Sequence, residues 1–175
     1  MLRVTQSEVL SFRTLKPLYE HRQATPFGPV YLAANWSMSG TATGMGEIWP
    51  GMVACGPIAE DPTRVRLATQ ATDRFFGLFT HNCNTRIDEL DGGSHVTSCW
   101  YGEGSMFRIF RPAYDATVAY AVPNDGTEEY LTWDANGQLT TDGGGNAVGN
   151  VAIAKLIATG TNYIDIMLIS PVALP

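Results

Sequence analysis

Between Met106 and Phe110 the chain alternates. Phe107 and Ile109 fall on one face, and Met106, Arg108 and Phe110 on the other. Side chains that switch faces at every residue are the signature of a β-strand. The preceding run, Ser98 to Tyr101, is also rich in β-formers, and Gly102 and Gly104 separate the two runs. Glycine has no Cβ and permits a tight reversal. The stretch Ser98–Asp115 therefore predicts a hairpin. Pro112 lacks a backbone donor, so it marks the end of the second strand or an edge position.

The same pattern recurs along the chain. Val65 and Leu67 alternate with Arg64 and Arg66, which predicts a strand over Arg64–Thr69. Phe75–Phe79 is a dense apolar run, predicting a strand buried on both faces. Met52–Cys55 predicts a short strand after Pro50-Gly51, a pair suited to the centre of a type II turn. Strands are also predicted at Thr117–Val122 and at Glu129–Trp133. The turn residues Asp134 to Gly137 connect the latter to Gln138–Thr140. The clearest hairpin joins Val151–Thr159 to Asn162–Ser170. In it Val151, Ile153, Lys155 and Ile157 share a face, and Pro171 is expected to end it. Roughly eight or nine short strands at this spacing, with no long helical period, predict an all-β fold. Ile164, Ile166, Leu168, Ile109 and Phe107 are its predicted core.

Residues 1–45 differ. Their apolar anchors have no clean period, and they include Pro17, Pro26, Pro29 and the small-residue tract Ser37–Gly44. The fold class is thus all-β: a single compact β-barrel or sandwich-like domain over residues 46–175, with an extended N-terminal arm over residues 1–45. Large apolar groups on an arm without its own core must dock elsewhere. Phe12, Leu15, Tyr19, Phe27, Tyr31 and Trp36 are the candidate interface residues, on the same chain or on neighbouring subunits. The alternative is that one or two strands of this segment lie on the main β domain.

Composition narrows the function. A chain of 175 residues can bury a core without disulfide staples. Its formal net charge of -6 and scattered basic residues do not make a nucleic-acid surface. Only 16% of residues are charged, as expected where part of the surface is covered by a partner subunit. The first residues lack the apolar core of a signal peptide. No apolar run approaches the roughly 20 residues of a membrane helix, so no membrane partner is expected. Three cysteines, an odd number, point to folding in a reducing compartment.

The candidate chemistry is thin. His81, Cys83, His95 and Cys99 are zinc-ligand types, but their spacing matches no finger or ribbon. A Cys83–Cys99 disulfide is an open alternative that needs an oxidising setting. Asp88, Glu89 and Asp91 lack the alternating spacing of a calcium loop and, as glycosidase carboxylates, have no partner placed across a cleft. Gly143–Gly145 is followed by no Lys-Ser or Lys-Thr, so it is no phosphate loop. No nucleophile elbow surrounds Ser94 or Ser98. The expectation is no catalytic residue, no cofactor and no metal.

Together, the irregular arm, the Pro50-Gly51-Met52-Val53 turn into the first domain strand and a glycine-rich β domain closing on the Val151–Ser170 hairpin resemble the decoration, or cement, proteins of tailed-phage capsids. The resemblance spans about residues 46–170 as a pattern and the arm as a type. It implies a structural virion protein, not an enzyme, made in the host cytoplasm and bound to the capsid exterior. It also implies self-association as a homotrimer, the major capsid protein as partner, and stabilisation of the shell. Two other readings stay open. One is a different virion part, such as a head fibre base or tail protein. The other is a carbohydrate-binding β module that stacks sugars on Trp100 and Trp133.

Overall fold

A computed structural model describes residues 15–19, 25–32, 48–56, 64–80, 96–121, 123, 128–143 and 145–174. Among them are eleven strands and no helix. They are β1 (Leu15–Tyr19), β2 (Thr25–Leu32), β3 (Val53–Cys55), β4 (Arg64–Leu67), β5 (Phe75–Phe79) and β6 (Val96–Tyr101), then β7 (Met106–Phe110), β8 (Tyr130–Trp133), β9 (Leu139–Thr141), β10 (Val151–Gly160) and β11 (Tyr163–Ala173). They form two sheets. One is six-stranded in the order β1-β7-β11-β10-β8-β9, and the other is a closed barrel, β2-β4-β3-β5-β6. The fold is all-β and sandwich-like, as the period-two pattern predicts.

Two segments of the expected arm are strands. Leu15 in β1 pairs with Ile109, and β1 is an outer strand of the six-stranded sheet. β2 closes the barrel by pairing parallel to β4 and antiparallel to β6. The sheets share one core. Val53, Leu78 and Phe79 of the barrel join Phe107, Ile109, Leu131, Trp133, Ile164, Ile166 and Leu168 of the six-stranded sheet, all essentially inaccessible.

The central hairpin is not one. β6 lies in the barrel and β7 in the six-stranded sheet, where β7 pairs with β1 and β11. The glycines make a corner between sheets. Gly104 adopts φ +81°, its N–H bonds to Leu168 O at 2.8 Å, and Ser105 N–H bonds to Gly102 O at 3.0 Å. With Leu168 taking up the corner's donor, β7 continues along β11 instead of folding back on β6.

Turn chemistry explains other elements. Gly51, at φ +95°, follows Pro50, and Met52 N–H closes the turn on Trp49 O at 3.0 Å. Gly137 at φ +72° closes the turn from β8 to β9, donating to Asp134 O at 3.0 Å. The predicted strand at Thr117–Val122 does not form in its described residues, 117–121. Asp115 accepts from the Thr117 N–H at 2.9 Å and the Thr117 hydroxyl at 2.6 Å, which bends the chain out of extended form. The last hairpin departs from strict alternation. A register shift between Ala152 and Ala154 buries Ile153 together with its two neighbours. Pro171 stands in the same irregular stretch, where no ladder donor is needed, so β11 runs through it to Ala173.

Candidate functional site

The outer face of the six-stranded sheet is built from the positions that alternate with the core. On β7 these are Met106, Arg108 and Phe110, and on β11 they include Tyr163, Asp165, Met167 and Ile169. The register sets them side by side in three rungs: Phe110 with Tyr163, Arg108 with Asp165, and Met106 with Met167. Phe110 and Tyr163 pack with ring centroids 6.0 Å apart. Arg108 grips Asp165 with both prongs, at 2.7 and 2.8 Å, and its guanidinium lies 3.9 Å from the centre of the Tyr163 ring. Further across, Lys155 of β10 pairs with Glu128 at 2.6 Å, and the Tyr130 hydroxyl donates to the same carboxylate at 2.6 Å. These two bonds hold the Glu128 carboxyl below its usual range. Ile157 is exposed beside them. The face is thus apolar and aromatic, with its described charges cancelled in pairs.

At one end of this face lies a shallow groove of about 190 Å³. Its lining includes Arg111, Tyr114 and Tyr120, with Thr159 at the end of β10, Thr161 in the β10–β11 turn and Tyr163 at the start of β11. Gly160 lets the turn fold over Tyr163, because a Cβ there would collide with the ring. Arg111 is exposed.

Elsewhere the polar groups serve the fold. Asp73 is buried, bridged by Arg66 and capped by the Thr69 and Gln70 N–H groups at 2.7 and 3.0 Å. Burial works to raise its pKa, but these donors outweigh it and hold the carboxyl below the usual range. Asp134, bonded by Asn136 and Gln138 N–H groups at 2.8 Å each, is pushed upward by burial. Burial also pushes the Cys55 thiol up to about 12, so it stays protonated and is a poor nucleophile at neutral pH.

The model of the phage cement protein family matches residues 1–172. The chain belongs to the phage cement protein family. Membership points to a structural, non-enzymatic role as a virion component associated with the phage capsid. No curated protein and no solved structure matches it.

Of the interface residues read from the sequence of this cement protein, Leu15 is 5% exposed and packs in the core. Tyr19, Phe27 and Tyr31 lie in β1 and β2, while Phe12 and Trp36 lie outside the described residues. His81, Cys83 and His95, and the acidic loop Asp88, Glu89 and Asp91, are also outside them. Cys99 is buried in the core, and Cys83, its partner in the disulfide alternative, lies outside the described residues. Among the described residues no group of three His, Cys, Asp or Glu side chains is placed to hold a metal ion. The sugar-stacking platform is overturned: Trp133 is wholly buried, and Trp100 packs edge-on against Phe107 at 5.6 Å. Sequence reasoning missed the Arg108–Asp165 rung, whose partners lie far apart in the chain. It also missed the groove, since no periodic signal marks Arg111.

Proposed function

We propose that this cement protein binds the outside of an assembled tailed-phage capsid as a homotrimer, contacts the major capsid protein, and stabilises the shell. The observation that carries the reading is the family match over residues 1–172, which spans the expected arm as well as the β domain. The outer face of the six-stranded sheet supports it. Half-buried Met106, Met167, Phe110 and Tyr163, with neighbouring charges neutralised, are the composition of a surface that meets another protein. Phe12, Tyr19, Phe27, Tyr31 and Trp36 are proposed as further contacts to neighbouring subunits. The protein would be made in the host cytoplasm and join shells there.

Cementing needs no chemistry. A trimer that bridges several lattice subunits binds far more tightly than one weak contact would. A protein that binds the assembled shell better than free subunits stabilises the shell by linkage. The test uses particles of the parent phage assembled without this protein. A trimer by light scattering that co-sediments with these shells and raises their melting temperature is expected. A monomer that leaves the shells unbound would overturn the reading.

A further inference from the structure

We propose that the groove beside Arg111 receives a carboxylate side chain of a capsid subunit; the inference rests on the capsid-binding reading and gives one contact its chemistry. Among the residues whose side chains are described, Arg66, Arg108 and Lys155 have carboxylate partners, and Arg74 and Arg111 have none. Of these two, Arg111 lines a groove. Two described carboxylates on adjoining stretches, Asp165 of β11 and Asp115 four residues on, are already committed. Asp165 is held by both prongs of Arg108. Asp115 accepts from Thr117 and from Asn146 Nδ2 at 2.7 Å. An unneutralised cation thus stands out on a chain of net charge -6.

The backbone that presents Arg111 is fixed. Ala113, two residues on, is wholly buried, and its N–H bonds to Phe110 O at 3.0 Å. Leu139 N–H bonds to Ala113 O at 3.1 Å, and the Gln138 side chain donates to Pro112 O. Binding here need order only the Arg111 side chain, not the backbone that carries it. The guanidinium fork matches a carboxylate with two parallel hydrogen bonds, the arrangement Arg108 and Asp165 already adopt in the rung next to Phe110 and Tyr163. Thr159 and Thr161 are among the residues that line the same groove.

Size and ring geometry favour a side chain over a larger ligand. About 190 Å³ is below the roughly 300 Å³ at which sites for drug-sized molecules begin. Tyr163 carries Arg108 on its ring, and Tyr114 and Tyr120 pack edge to face at 5.8 Å, so the rings serve the protein's own packing.

The test compares Arg111→Glu, Arg111→Lys and Arg74→Glu in the full chain, each checked by thermal melting and light scattering. Binding to parent-phage shells lacking the protein is measured by co-sedimentation at low and high salt. Arg111→Glu is expected to weaken binding by roughly 10- to 100-fold, with melting and oligomeric state unchanged. Arg111→Lys should retain part of the binding, and Arg74→Glu nearly all of it. Wild-type affinity for Arg111→Glu, or an equal loss for Arg74→Glu, overturns the inference while leaving the capsid reading intact. Loss of the oligomer with Arg111→Glu overturns it in favour of a contact between copies. A wild-type protein that binds no shells removes the capsid reading and this inference with it.

Discussion

The indole Nε1–H of Trp133 donates to the backbone carbonyl of Gln70 at 3.2 Å, tying β8 of the six-stranded sheet to the turn that follows β4 of the barrel. Trp133 is wholly buried between the two. Trp133→Phe deletes that donor and part of the ring, leaving the Gln70 carbonyl with only the Asp73 N–H, at 3.2 Å, and a void behind. The expected cost is about 2–3 kcal/mol, read as a fall of roughly 4–12 °C in melting temperature. An unchanged melt would mean that the junction contributes nothing.

How much of this was legible in the sequence depends on whether a contact is local. The turns at Pro50-Gly51 and Asp134–Gly137, the buried alternation of Phe107 and Ile109, and the β10–β11 hairpin follow from neighbours in the chain, and each formed. The pairing of β6 and β7 failed because adjacency suggests a hairpin, whereas Gly104 and Ser105 bond to Leu168, more than sixty residues on. That one or two strands of residues 1–45 lie on the β domain was open as an alternative, but their positions were not legible because each is completed by a distant partner, β7 and β6. No periodicity within residues 1–45 encodes that. The outer-face rungs depend on the same distant register.

Asp73 links stability to acid. Its folded pKa lies below that of an unfolded aspartate, about 3.9. Its contribution is therefore present above the unfolded pKa and is lost as pH falls through the folded value. Asp73→Asn should cost about 2–4 kcal/mol at pH 7, because it leaves Arg66 unmatched and weakens the cap on Thr69 and Gln70. Denaturant melts of both proteins should converge as the pH is lowered below the carboxylate range. A gap that stays constant with pH would refute the electrostatic account.

Two glycines should respond oppositely to alanine. Gly137 has φ +72°, and a Cβ there would strike the Leu67 side chain. Gly143 has no atom within 4 Å of a built Cβ. Gly137→Ala is expected to destabilise by about 2–4 kcal/mol through the left-handed backbone and overpacking. Gly143→Ala should stay within about 0.5 kcal/mol of wild type. Chemical denaturation of the pair separates positional strain from a general effect of losing glycine.

Truncations should separate fold from attachment. A chain beginning at Thr14 keeps β1 and the burial of Leu15. It is expected to melt like the full protein while losing attachment to shells, since Phe12 is gone. A chain beginning at Phe27 also removes β1 and the start of β2, stripping β7 of one neighbour. Lost burial of Leu15 alone should cost about 2 kcal/mol or more. Equal melting of both truncations would show that β1 adds no stability.

The position of β7 also dictates an order of assembly. Its two neighbours are β1, about 90 residues upstream, and β11, about 55 downstream. A nascent chain can pair β2 with β6 and close the barrel while the ribosome is still making the second half. The six-stranded sheet must wait for β11, so β7 spends part of synthesis with one edge open and Phe107 and Ile109 incompletely covered. A chain cut short before β11 would be left in that state, a sticky half-built layer prone to pair with its own kind. Ribosomes stalled between β7 and β11 should therefore carry chains that are protease-resistant in the barrel and cleaved in the sheet.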